Sequence, residues 1–176
     1  MKNLFAYFAL CLTVAFGLAV SSCGTQCKGV DCGTHGTCDE ADGKCACVTG
    51  YSLTSGTNAK CDSLNNAKFI GSWMSSETCT PAVDANPYTI TISAVSGDLT
   101  MVRISNFSRS NCGTDPLVVT ATIDGTNLKS YTTTCADITG LSGSSNLSSD
   151  GKTLNVNYAL TVGGTAYTCS ASMAKQ

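Results

Sequence analysis

Leu154-Asn155-Val156-Asn157-Tyr158-Ala159-Leu160-Thr161-Val162 runs into Gly163-Gly164 and continues as Thr165-Ala166-Tyr167-Thr168-Cys169-Ser170-Ala171-Ser172-Met173. In the first run Leu154, Val156, Tyr158, Leu160 and Val162 alternate with Asn155, Asn157 and Thr161. In the second, Tyr167, Cys169, Ala171 and Met173 alternate with Thr168, Ser170 and Ser172. Successive side chains of an extended strand point to opposite faces, so this period of two predicts a pair of half-buried antiparallel strands. The two glycines between them tolerate the positive φ of a tight hairpin turn.

The same alternation recurs upstream, at Tyr88, Ile90, Ile92 and Ala94 and again at Leu117, Val119, Ala121 and Ile123, and no helical period appears beyond residue 66. Turn residues divide the runs at Gly97-Asp98, Asp124-Gly125-Thr126-Asn127 and Asp150-Gly151. Together these features predict about eight strands, near 69–76, 87–95, 99–107, 117–124, 127–134, 141–147, 152–161 and 165–174. Short links favour an up-and-down antiparallel meander, which closes into a barrel or packs as a sandwich because open edges recruit other chains. Closure makes the first and last strands neighbours. Cys79, just after the first, then pairs with Cys169 in the last. Cys112 and Cys135, following the third and fifth strands on one rim, form the other bridge; of three connectivities this one needs the fewest long reaches.

Phe69-Ile70-Gly71-Ser72-Trp73 opens the first strand. Its Gly-x-Trp resembles the start of lipocalin-like barrels, and the resemblance extends over 66–176 in strand count and order. Trp73 is expected to plug the core. The arginine that packs on this tryptophan in the family is missing, since the last strand offers only Lys175. Small lipocalin-like lipoproteins of Bacteroidetes-type bacteria are therefore the closer comparison. Inward-facing Tyr88, Tyr158, Tyr167 and Met173 are expected to fill the interior.

Before Asp62 the composition changes. Cys27, Cys32, Cys38, Cys45, Cys47 and Cys61 are separated by four, five, six, one and thirteen residues, while Val30, Val48, Tyr51 and Leu53 are the only large apolar side chains among them. So little apolar surface cannot offset chain entropy, and covalent staples must carry the fold. Spacing alone leaves fifteen connectivities open. The Cys45-Ala46-Cys47-Val48-Thr49-Gly50-Tyr51 stretch resembles an epidermal-growth-factor-like (EGF-like) module. That resemblance implies Cys27 with Cys38, Cys32 with Cys45 and Cys47 with Cys61. Calcium-binding members place acidic and amide side chains before the first cysteine. Here Gly24-Thr25-Gln26 stand there, and Asp39, Glu40 and Asp42 form a turn ending at Gly43, so no calcium site is expected. His35, the single histidine, is expected to be a polar loop residue.

Met1-Lys2-Asn3 leads into a nearly unbroken apolar run from Leu4 to Val20, followed by Ser21-Ser22-Cys23. A charged start, an apolar stretch and small residues form the layout of an export signal. The cysteine directly behind it resembles the bacterial lipoprotein signal, which implies lipidation of Cys23 and cleavage before it. Parity agrees. Of twelve cysteines, Cys11 leaves with the signal and Cys23 takes the lipid, so that the remaining ten can all pair. The expected organisation is a signal peptide at 1–22, an EGF-like module at 23–61, a linker at 62–67 and a lipocalin-like β domain at 68–176. Asp62-Ser63-Leu64 resembles the O-glycosylation acceptor of the same bacteria, which marks Ser63. Asn106-Phe107-Ser108 and Asn146-Leu147-Ser148 match the N-glycan pattern, relevant only to a eukaryotic export route.

The formal net charge of −2 argues against nucleic-acid binding. No apolar stretch after Val20 reaches the ~20 residues of a spanning helix, so the membrane is expected as a partner only through the N-terminal lipid. With no histidine beyond His35 and no phosphate-cradling loop, neither catalytic residues nor a cofactor or metal are expected. The expected function is a non-enzymatic, lipid-anchored binding or adhesion protein of the cell envelope, at the outer membrane, with a protein or glycan partner. Its periplasmic or outer face stays open, although Gly24 after the cysteine resembles outer-membrane lipoproteins. The alternative is a small apolar-ligand carrier that uses the interior of the β domain.

Overall fold

The computed structural model describes residues 26–84 and 86–176, so the expected signal segment 1–22 and Cys23 lie outside the described residues. Contacts divide the chain into two units, one comprising 26–48 with 52–62 and the other 49–51 with 63–176. The β domain expected from residue 68 thus extends back to residue 63 and also takes in the turn at 49–51.

In the first unit, β1 (Gly36–Cys38) and β2 (Cys45–Cys47) form an antiparallel ladder. Three disulfides hold it: Cys27–Cys38, Cys32–Cys45 and Cys47–Cys61. They close loops of 11, 13 and 14 residues, each contributing about 3 kcal/mol by restricting the unfolded chain. Gly36 is required by close approach, because a Cβ there would stand 2.6 Å from the Cys61 sulfur. The acidic turn is occupied with itself: Asp39 Oδ1 accepts the Ala41 N–H and Asp42 Oδ1 the Lys44 N–H. The His35 carbonyl accepts the Val48 N–H at 2.9 Å. Chiefly in the second unit, a two-stranded ladder pairs β3 (Tyr51–Ser52) with β4 (Ser63–Leu64). Ser63 is therefore a half-buried strand residue, not a member of an open linker.

The second unit is an eight-stranded antiparallel barrel, nearly closed. Its strands are β5 (Gly71–Thr80), β6 (Tyr88–Val95), β7 (Asp98–Ser105), β10 (Val118–Asp124), β11 (Asn127–Thr132), β12 (Ile138–Leu147), β13 (Thr153–Val162) and β14 (Thr165–Lys175). One turn of 3-10 helix, Phe107–Arg109, and a small hairpin of β8 (Asn111–Cys112) with β9 (Asp115–Pro116) interrupt the meander between β7 and β10. Around the barrel the order is β11-β10-β7-β6-β5-β14-β13-β12, so every pair of successive barrel strands except β11 and β12 is hydrogen-bonded, and the first strand pairs with the last. The gap between β11 and β12 carries no continuous ladder. It is held by Leu147 N–H to Thr126 O, Leu128 N–H to Ser145 Oγ and Asn146 Nδ2 to Asn127 Oδ1. Tyr131 packs against Gly143 there, and a Cβ on that glycine would meet its ring at 3.0 Å.

The alternating residues form the core: Ile90, Ile92, Val102, Ile104, Val119 and Leu154 are all essentially inaccessible. Burying side chains of this size contributes about 1.5–3 kcal/mol each. Trp73 sits at the base, its indole N–H donating to the Phe69 carbonyl at 2.8 Å. Register places Lys175 opposite Trp73, and the ammonium lies 5.3 Å from the ring. Cys79 and Cys169 are also register partners and are bridged, and Cys112 is bridged to Cys135.

Two local expectations change. The first strand, read as 69–76, begins at Gly71 and runs on to Thr80, so Cys79 lies inside it. Ala94, read as inward, is exposed where the β6–β7 register slips between Ala94 and Val95.

Candidate functional site

Strand β5 turns Trp73, Ser75, Glu77 and Cys79 into the barrel on every second residue. Glu77 is only 5% exposed. Its Oε2 accepts hydrogen bonds from two phenols, Tyr88 of β6 at 2.8 Å and Tyr158 of β13 at 2.5 Å. Burial pushes the pKa of both phenols well above the usual tyrosine range, which keeps them protonated as donors. Glu77 Oε1 accepts no hydrogen bond from the described residues, and Glu77 lines a cavity of about 260 Å³. Leu160, Val162, Tyr167 and the Cys79–Cys169 disulfide form its walls, with Asp84 and Arg109 at the rim.

The rim owes its position to Phe107. That ring is fully buried, 4.7 Å from the centroid of Tyr158 and 5.8 Å from that of Tyr131. It pins a turn in which Asn106, Ser108 and Arg109 hold φ of 62°, 56° and 48°. Left-handed backbone at non-glycine residues costs on the order of 1 kcal/mol or more each and persists only where packing over-determines it. The Asn106 amide contributes by donating to Thr89 O at 2.8 Å. Arg109 is committed to the rim itself. It donates to Asp84 Oδ2 at 2.8 Å and to Asn86 O at 2.7 Å, and lies 5.0 Å from the Tyr88 ring centroid. Asp84 is held below the usual carboxylate range, first by the Asn86 N–H and further by Arg109.

Of the four side chains expected to fill the interior, Tyr88, Tyr158 and Met173 are buried, whereas Tyr167 is half-buried and lines the cavity. Sequence reasoning missed Glu77 and Arg109. Glu77 shares the parity of Trp73 and Cys79, and extending that strand by four residues would have found it. Arg109 had no such signal. Among the described residues no group of three His, Cys, Asp or Glu side chains could hold a metal ion, and no helix is long and apolar enough to cross a membrane.

Fold and site thus define a disulfide-stapled all-β protein whose antiparallel barrel opens at one mouth onto a buried carboxyl group. No family model and no curated protein matches the chain.

Proposed function

We propose that this chain is an exported, lipid-anchored protein of the cell envelope that acts without catalysis, binding a protein or glycan through the outer wall of its barrel. The wall carries this reading. On β5, β14, β13 and β12 the outward residues fall in register as Thr78, Ser170, Asn157 and Ser144, flanked by the row Ser76, Ser172, Asn155 and Asn146. All eight are exposed and none is charged. Rows of hydroxyl and amide groups about 4.8 Å apart offer donors and acceptors to a polyhydroxylated partner without a charge to desolvate.

The tether reading rests on the signal layout and on parity, since the five disulfides use every cysteine from Cys27 onward and leave Cys23 over. The EGF-like reading of the first unit is supported by bridges running first-to-third, second-to-fourth and fifth-to-sixth. The lipocalin-like reading of the second is supported by its meander and by the cation on Trp73. The test is retention of the full chain on immobilised neutral polysaccharides (dextran, mannan, xylan). Retention lost on Ser170→Lys and Asn157→Lys, with folding intact, supports the reading. Absence of retention on every matrix, or variants that bind as wild type, overturns the glycan arm.

The cavity favours a second reading, carriage of a small ligand. The cavity lies beside a packed barrel core, so such a ligand would sit at the mouth.

A further inference from the structure

We propose that the barrel mouth binds a small organic cation, an ammonium or amidinium on a compact apolar body, with the Glu77 carboxyl group receiving the charge. The proposal rests on the small-ligand reading and is independent of the lipid tether.

Glu77 is more than nine-tenths buried and faces a cavity, yet none of the ion pairs among the described residues includes it. A buried carboxyl group is tolerated when hydrogen-bonded and is further stabilised by an opposite charge. The two tyrosine hydroxyls satisfy Oε2 alone. Arg109 is the cation at the rim, but its guanidinium is engaged by Asp84, by the Asn86 carbonyl and by the face of Tyr88. Glu77 and Asp84 against Arg109 leave the mouth with an excess of carboxyl groups, which disfavours an anionic ligand.

The walls define the rest of the ligand. Leu160, Val162 and the Tyr167 ring present apolar surface directly beside the carboxyl group. With Asp84 engaged by Arg109, a bare metal ion would find the Glu77 carboxyl group and its two neutral phenols, short of the six to eight oxygens that calcium takes. A volume of about 260 Å³ falls below the roughly 300–1,000 Å³ of drug-sized sites, so the body is small, of the order of one aromatic ring and a short chain. The left-handed turn at Ser108 and Arg109 forms part of this rim, where strain of this kind commonly serves binding.

Calorimetry on the full chain with three matched probes, phenethylamine, phenethyl alcohol and phenylpropanoate, tests the assignment. The amine is expected to bind at least about tenfold more tightly than the alcohol, the margin of a charge-assisted hydrogen bond. The carboxylate is expected to bind weakest. Glu77→Gln keeps the shape and an acceptor for both phenols, and should bring the amine down to the level of the alcohol. An amine preference that survives Glu77→Gln overturns the role of Glu77. Equal binding of amine and alcohol, or preference for the carboxylate, overturns the cation assignment and leaves small-ligand carriage standing. Failure of all three probes overturns both. The wild-type comparison decides the matter even where the variant does not fold.

Discussion

Tyr158 and Tyr131 bury their phenols in the same barrel, but among the described residues only the first finds a hydrogen-bond acceptor. Tyr158 donates to Glu77, whereas the Tyr131 hydroxyl is buried without a hydrogen-bond partner among the described residues. Leaving a polar group unpaired costs roughly what a made bond contributes. Tyr158→Phe should therefore cost about 1–2 kcal/mol in chemical denaturation, while Tyr131→Phe should be neutral or stabilising by up to ~1 kcal/mol. Equal losses would contradict the pairing. Burial also raises the Tyr131 pKa from 10.0 to about 12. A raised folded-state pKa stabilises the fold fully below pH 10.0 and loses that stabilisation as pH climbs to about 12. Alkaline titration should accordingly show buried-tyrosine phenolate absorbance arriving together with loss of β-sheet signal. Ionisation of these tyrosines with the sheet intact would contradict it.

At the scale of elements, β5 shows what the sequence disclosed and what it hid. Strands such as β13 and β14 are legible because apolar and polar residues alternate through their centres, broken only by Ala159 in β13. The second half of β5 places Ser75 and Glu77 on the inside, so its pattern reads as a polar loop and the carboxyl site goes unseen. The turn at Phe107 was read as the end of an extended strand. Its geometry is imposed by the distant rings of Tyr131 and Tyr158, which no local pattern records. The bridge between β5 and β14 closes a loop of 90 residues and that from Cys112 to Cys135 one of 23. Replacing Cys79 and Cys169 by alanine should cost about 2–5 kcal/mol, and the Cys112/Cys135 pair about 1 kcal/mol less by chain entropy. Thermal melts of the two double variants check the order; the reverse order would show that native-state packing, not loop length, dominates. Lys175→Ala, which removes the cation from Trp73, should cost about 0.5–1 kcal/mol and alter the fluorescence of the single tryptophan.

For the whole molecule, the division of labour follows from composition. The cysteine-dense stretch has too few apolar residues for a core and is held by bridges, while the Ser/Thr-rich remainder has enough alternating apolar residues to close a barrel around them. With every cysteine from Cys27 onward in a disulfide, Cys23 is the one remaining cysteine behind the apolar run Leu4 to Val20, and the proposed acylation falls on it. Intact-mass measurement of the protein extracted from membranes, with and without thiol alkylation, tests this account most directly. It predicts a polypeptide starting at Cys23, carrying acyl mass and taking up no alkylating reagent until reduced. A chain starting elsewhere, without acyl mass and with alkylatable thiols before reduction, would contradict it.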